Sequence, residues 1–279
     1  MTTRPTGGRR AAVLGSPIAH SLSPVLHRAA YRALGLTDWS YDRFEVGEAE
    51  LAPFLGGLGQ EWAGLSLTMP LKRAVIPLLD EISDTAASVS AVNTVVLTDD
   101  GRALGENTDI PGLVAALAER GVTGVERATV LGAGATAASA LAALGRLGAR
   151  EVTACVRTEA RAEEMCAWGA RLGVTVVAAP WGEAEKALAA PLVVATTPAG
   201  VTDALAGAVP AAPGVLFDVL YEPWPTALAA AWSAAGGAVV GGLDLLVHQA
   251  VPQVELMTGL APAPLAAMRA AGEAALAAG

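Results

Sequence analysis

The chain is poor in the residues from which metal centres and disulfide frameworks are built: its 279 residues include two cysteines and three histidines. Cys155, in an apolar strand-like run, and Cys166, on a helical stretch, have neither CxxC nor metal-ligand spacing, which suits a reducing compartment. Both read as packing residues. His20, His27 and His248 share no ligand spacing either, so satisfied structural roles and no metal are expected. Positive charge is also short. With 18 Lys and Arg against 27 Asp and Glu the net charge is −9, and neither nucleic acid nor an anionic membrane finds the basic surface it needs. An anionic small substrate must then be held by local groups, not by the global field. Unbroken apolar runs are missing as well. Ala128 to Gly145 and Thr226 to Leu243 are uncharged over roughly the 18 residues of a spanning helix, but glycines at 132, 134, 236, 237, 241 and 242 divide them into shorter elements. After arginines at 4, 9 and 10 the apolar run Ala11 to Leu14 is too short for a signal-peptide core, so the expected location is the cytoplasm.

What is abundant is small and apolar: 53% of the chain is hydrophobic, much of it alanine, with 31 glycines. The length favours two domains. From Ala11 onward short apolar runs alternate with helical ones, the pattern of an α/β fold with crossover helices. Ala11 to Gly15, Trp39 to Val46, Ala63 to Thr68, Val92 to Leu97 and Arg102 to Gly105 read as strands. Ser23-Pro24 reads as the cap of a helix that runs to Gly35. A second series starts at Ala128, with further strands at Val152 to Val156, Thr175 to Ala178, Leu192 to Ala195, Val215 to Val219 and Ala238 to Val240. Two helices, Leu243 to Thr258 and Pro262 to Ala277, close the chain.

The run Gly132-Ala133-Gly134-Ala135-Thr136-Ala137 follows a strand and opens a helix. Its first glycine allows a tight turn, the second a close approach to a pyrophosphate, and the small third residue close packing of helix on strand. Dinucleotide binding is the expected use; a merely structural turn is the bland alternative. At the end of the next strand, where NAD would want an acid for its ribose, stand Val156, Arg157, Thr158 and then Arg161. Guanidinium forks suit a 2′-phosphate, which points to NADP. Elsewhere the polar inventory is Thr68 and Lys72 about a proline turn, Asn93-Thr94, Asn107-Thr108-Asp109, Asp218 with Tyr221, and Gln249. Taken singly, Lys72 is an ordinary surface lysine, Asp109 a helix cap, and Tyr221 and Gln249 half-buried packing residues.

In order along the chain, Gly15-Ser16-Pro17-Ile18-Ala19-His20-Ser21-Leu22-Ser23-Pro24, Leu67-Thr68-Met69-Pro70-Leu71-Lys72, Ala91-Val92-Asn93-Thr94, Asn107-Thr108-Asp109, Gly132-Ala133-Gly134 and Asp218-x-x-Tyr221-x-Pro223 resemble the shikimate dehydrogenase family. The likeness runs from Val13 to about Gln253. It implies a substrate domain of residues 1–109 plus 244–279 and an NADP-binding Rossmann domain of residues 110–243. It implies further that Ser21, Ser23 and Tyr221 hold a substrate carboxylate, that Thr68, Lys72, Asn93, Asp109 and Gln249 contact ring hydroxyls, and that Gly242 and Val219 border the nicotinamide with Asp84 near it. Ser66, Glu106, Val156 and Asp244 depart from the commonest family residues.

The chemistry so implied is reduction of 3-dehydroshikimate to shikimate, with hydride from the cofactor and a proton from the protein. Lys72 is the expected proton carrier and Asp109 the group that orients it. Quinate dehydrogenases of broader substrate or cofactor use, a folate-pathway dehydrogenase and a non-catalytic metabolite sensor share this architecture. Retention of Lys72 and Asp109 argues against the sensor, and the paired serines favour a small carboxylate. The expected partner is a small molecule, and the expected assembly a monomer or homodimer.

Overall fold

After the exposed Arg10, β1 (Arg10–Gly15) is apolar and buried because both of its faces are covered. With side chains alternating, Ala12 and Leu14 join a core with Leu51, Trp62, Leu65, Leu71 and Val95, while Ala11 and Val13 join Tyr31, Trp39, Tyr41 and Met257 on the opposite side. The computed structural model describes residues 8–278. Arg4 of the N-terminal segment and the outermost residues of the expected substrate domain lie outside the described residues.

The chain divides into two units, one made of residues up to Thr108 with those from Leu246 onward, the other of Asp109–Leu245. In the first, β1 is followed by α1 (Ser23–Ala33), β2 (Ser40–Glu45), α2 (Glu48–Gly56), β3 (Trp62–Leu67), α3 (Leu71–Ala74), β4 (Glu81–Ile82), α4 (Asp84–Val89), β5 (Thr94–Leu97) and β6 (Ala103–Glu106). The strands form one six-stranded sheet in the order β2-β1-β3-β5-β6-β4. β2, β1 and β3 are parallel, β5 runs against β3, and β6 against β5.

The second unit runs α5 (Asp109–Glu119), β7 (Arg127–Leu131), α6 (Ala135–Arg146), β8 (Glu151–Val156), α7 (Glu159–Leu172), β9 (Thr175–Pro180), α8 (Ala184–Ala187), β10 (Leu192–Ala195), β11 (Val215–Asp218), α9 (Ala227–Ala234) and β12 (Ala238–Val240). Its sheet, β12-β11-β10-β7-β8-β9, is parallel throughout. Counted from β7, that is the doubly wound order 3-2-1-4-5-6, whose strand order reverses between β7 and β10. The core beneath it is Leu131, Val193, Leu216, Leu228 and the fully buried Trp232. α10 (Gly242–Thr258) then carries the chain back to the first unit, where α11 (Leu265–Ala278) packs on α1. No described helix is long and apolar enough to cross a membrane; the two uncharged stretches fall into separate strands and helices.

Three local expectations need correction. Ser23 is the first helical residue of α1 and not its cap: Leu22 occupies that position and makes no side-chain cap. α2, α3, α4 and β4 are elements beyond the expected strands and helices. Cys155 is buried, which pushes its thiol up to about 11, but Cys166 is exposed on α7, so it is not a packing residue.

Candidate functional site

Topology alone gathers the polar residues of the first unit at one edge of its sheet. β1 and β3 are parallel, so the loop after Gly15 and the turn after Leu67 leave from the same side. Ser66 of β3 stands opposite Thr94 of β5, and Thr94 opposite Glu106 of β6, so Asn93 and the Asn107-Thr108 pair arrive there as well. Ser21 lies in the first loop, its Oγ accepting from the Ser23 N–H at 3.3 Å. That leaves the Ser21 hydroxyl proton available as a donor. Both serines are nearly buried, and no described residue hydrogen-bonds the Ser23 hydroxyl. Thr68 ends the β3 turn, its N–H on Leu14 O at 3.0 Å. Lys72 follows on the one-turn α3, half-buried, its carbonyl taking the Val92 N–H at 2.8 Å.

Behind this edge lies a buried hydrogen-bonded network in which each proton has a destination. Tyr41 donates to Ser66 Oγ at 2.6 Å, and Ser66 to Gln253 Oε1 at 2.8 Å. Gln253 Nε2 donates to Thr94 Oγ1 at 2.9 Å and to Asn93 O at 3.3 Å. Thr94 donates to Asn93 Oδ1 at 2.9 Å, which also accepts the Thr108 N–H at 2.8 Å. The Asn93 amide then donates to Thr108 Oγ1 at 2.9 Å and Gln249 Oε1 at 3.2 Å. Asn93 and Gln249 are thus locked in orientation by groups that need not touch a ligand. His27 Nε2 lies 3.2 Å from Gln253 Oε1. That oxygen accepts, so the imidazole proton belongs on Nε2, and Nδ1 stays buried without a partner among the described residues. Burial pushes the His27 imidazole down to about 3 against the opposing Gln253 bond. It is therefore neutral, stacked on Tyr41 with ring centroids 3.9 Å apart. Sequence reasoning missed this network, since Gln253 meets partners some 160 residues away. Only the noted oddity of Ser66 hinted at it.

The second unit presents its own edge, the carboxyl ends of parallel strands, where such sheets bind ligands at the switch point. Gly132 follows β7 with φ of 118°, a conformation open to glycine. A β-carbon there would come within 2.6 Å of Thr196 Oγ1, across the β7/β10 crevice. Gly134 precedes α6, and a β-carbon on it would meet nothing within 4 Å. With Ala133, Ala135 and Thr136 it forms a clear approach to the first N–H groups of a twelve-residue helix, which have no partners inside it. This cradle fits a pyrophosphate. Thr196, unremarked in the sequence, lines it from β10, its own hydroxyl donating to Leu131 O at 2.9 Å. At the end of β8, Thr158 caps α7 by accepting the Arg161 N–H at 3.4 Å. Arg157 and Arg161 are exposed there, the latter paired with Glu164. No carboxylate side chain stands between Val156 and Thr158, so the donor set is basic, as a phosphate requires.

Asp109, the first residue of α5, is buried and follows Thr108 directly. The Val219-Leu220-Tyr221 loop is shaped by Asp218, whose Oδ1 takes the Leu220 N–H at 3.1 Å and Oδ2 the Thr226 hydroxyl at 2.7 Å. Burial raises the Asp218 carboxyl, partly offset by these two donors. Gly242 permits the start of α10 to lie against that loop, since a β-carbon would strike Val219 O at 2.2 Å. Asp244 holds this corner by accepting the Gly241 N–H at 3.3 Å and pairing with Arg120 at 3.2 Å. Tyr221 is half-buried on the same loop. Asp84 begins α4 in the first unit, exposed, and so does not belong to the unit with the glycine turn. Among the described residues no cluster of three metal-ligating side chains exists.

Comparison with known proteins places the chain's sequence and fold in a known family. The family model described as the shikimate dehydrogenase substrate binding domain matches residues 13–95, and that of the shikimate 5'-dehydrogenase C-terminal domain residues 242–271. A shikimate dehydrogenase (NADP(+)) of Methylobacterium radiotolerans is 38% identical over 264 residues, 91% of this chain and 92% of its own. The crystal structure of Mycobacterium tuberculosis shikimate dehydrogenase superposes with a TM-score of 0.88 at 46% identity, covering 95% of this chain and 99% of that one. Shikimate 5-dehydrogenase of Thermus thermophilus, solved in complex with NADP(H) and shikimate, gives 0.84 at 34%, covering 96% and 99%.

Proposed function

Because the chain belongs to the shikimate dehydrogenase family, with 38% identity to a relative across 91% of its length, we propose that it catalyses the reversible NADP-dependent reduction of 3-dehydroshikimate to shikimate in aromatic amino-acid biosynthesis. The observation that carries the reading is the polar edge of the first sheet, from which the segments bearing Ser21, Ser23, Thr68, Lys72 and Asn93 leave or enter their strands.

When bound, the reduced cofactor supplies a hydride to ring carbon 3. The chain supplies orientation and the proton. Ser21 and Ser23 donate their hydroxyls to the substrate carboxylate, with Tyr221 a further donor. Thr68, Asn93 and Gln249 bind ring hydroxyls, with Asn93 held in place by the network behind it. Lys72 gives its ammonium proton to the alkoxide that forms as the carbonyl is reduced, and takes one back in the oxidative direction. Asp109 orients Lys72 and the reacting hydroxyl. Gly132, Ala133, Gly134, Ala135 and Thr136 hold the pyrophosphate, Arg157, Thr158 and Arg161 the 2′-phosphate, and Val219 and Gly242 border the nicotinamide, with Asp84 assigned near it from the family resemblance.

The small-molecule reading agrees with the net charge of −9, which argues against a polyanionic partner. Two free cysteines suit the reducing cytoplasm, where we place the protein, as a monomer or homodimer. The test is a four-way assay of the purified protein with shikimate or quinate and NADP or NAD, followed by absorbance of the reduced nicotinamide. Shikimate with NADP is expected to turn over fastest. Turnover in none of the four combinations would overturn the enzyme reading, and an equal rate with NAD would remove Arg157 and Arg161 as phosphate ligands.

A further inference from the structure

The loop that carries Ser21 has no regular structure of its own: residues 16–22 link the end of β1 to the start of α1 without strand or helix. Local bonds hold it only in part, with the Ser21 N–H on Ile18 O and the Ser16 N–H on Met69 O, each at 3.0 Å. Further ties reach it from β2. Glu45 Oε1 accepts the Ser16 hydroxyl at 3.1 Å. Arg43, two residues earlier and so on the same face of the strand, donates Nη1 to Ala19 O and, at 3.4 Å, to Ser21 O. β2 lies beside β1 in parallel register, Val13 opposite Arg43 and Gly15 opposite Glu45, so both side chains stand next to the strand from which the loop departs. Neighbouring Asp42 is paired with Arg28 at 2.6 Å, and Glu45 serves Ser16, so these carboxylates have other engagements.

We infer that Arg43 is a positioning residue for carboxylate recognition: its guanidinium clamps the backbone of residues 19–21, presetting the Ser21 and Ser23 hydroxyls, and lends the loop a fixed positive charge. The inference rests on the assignment of those serines to the substrate carboxylate. Its physical ground is twofold. A guanidinium carries several donors in a rigid fork and can bridge two carbonyl oxygens, whereas an ammonium is a compact point charge with no such geometry. In a chain of net charge −9 an anion is drawn in only by local cations, and Arg43 is one that the loop itself binds. The clamp acts on binding and not on the reacting carbon. Its effect therefore falls on the ground state and the transition state alike.

The test measures steady-state kinetics of the full-length enzyme at saturating NADP for wild type, Arg43→Ala, Arg43→Lys and Ser21→Ala. Shikimate and its neutral carboxamide serve as alternative substrates, and a thermal melt is recorded for each variant. Arg43→Ala is expected to raise the KM for shikimate about tenfold, the scale of one charge-assisted contact. Its kcat should stay within about threefold, and the KM for NADP should not move. Arg43→Lys should fall between, and the effect should shrink to about twofold or less with the carboxamide. A rise in ionic strength should weaken shikimate binding more in wild type than in Arg43→Ala. Unchanged KM in both Arg43 variants overturns the inference, and so does an equal loss with acid and amide. Ser21→Ala separates the two levels. If it raises KM while the Arg43 variants do not, only the clamp is wrong; if it leaves KM unchanged, the carboxylate assignment itself fails. An unstable Arg43→Ala leaves Arg43→Lys to decide by the same ratio of acid to amide.

Discussion

Lys72 and Asp109 sit in ordinary local settings, one on a single turn of helix and the other at a helix start, so the chemistry proposed for them comes from their neighbours and not from their own elements. Lys72→Ala should cost about 10² to 10⁴ in turnover, the worth of a general acid–base. The NADP dissociation constant should stay near wild type, since the glycine turn belongs to the other unit. Asp109→Asn should lose a comparable factor if the two act together. Single-turnover kinetics beside a fluorescence titration with NADPH would check both, and turnover within a few-fold of wild type would strip Lys72 of its role. His27 gives a prediction of another kind. Its folded-state value of about 3 lies below the unfolded 6.5, so between these limits the unfolded chain binds the extra proton. Stability is therefore fully present above pH 6.5 and lost as pH falls toward 3, at up to ~1.4 kcal/mol per pH unit. From pH 7 to pH 5 the loss from this one residue is about 2 kcal/mol. Urea unfolding of wild type and His27→Gln at both pH values would show it. Equal pH slopes in the two proteins would mean that the imidazole is not the titrating group.

At the scale of elements, function depends on how tightly neighbouring turns approach. Gly132→Ala would place a methyl on a backbone at φ of 118° and push it toward Thr196 at 2.6 Å. We expect NADP affinity to fall at least tenfold, since the β7–α6 turn must open to relieve the contact, while shikimate binding, for which no residue of this turn is proposed, should change little. Calorimetric titration with each ligand separately measures this; wild-type NADP binding in Gly132→Ala would show that the turn is not a phosphate cradle. The same scale shows what could be read from sequence. Leu192–Ala195 emerges residue for residue as expected, because a buried parallel strand is a short apolar run with sharp ends, and so does the edge strand Ala238–Val240, which glycines bound on both sides. α2 was hidden by Pro53 and by the glycines at its end, and α3 and β4, of four and two residues, are too short to show a period. Ser23 was misplaced by one residue since serine followed by proline is also what a true cap looks like.

For the molecule as a whole, charge and topology answer different questions. A chain of pI about 4.9 loses its mutual repulsion as the solution approaches that value. Solubility should pass through a minimum near pH 5, which light scattering across pH 4 to 8 would locate; a flat profile would show that net charge does not govern association. The dinucleotide-binding character of the second sheet was legible because the glycine turn and the strand rhythm are both local signals, whereas its strand order is seen only in the structure. The candidate residues of the first unit were legible only through family resemblance, since their meeting depends on strand directions that no single segment records. Of the network through Gln253 only the unusual Ser66 showed in the sequence. That network also sets a rule for how such a chain changes over generations. With Tyr41, Ser66, Gln253, Thr94 and Asn93 passing hydrogens in one direction, exchanging any one alone strands a partner in the dry interior. Substitution at these positions is therefore expected to proceed in concert. A lineage that alters Ser66 will carry a matching change at Tyr41 or Gln253, leaving a correlated signature across descendants that otherwise drift freely.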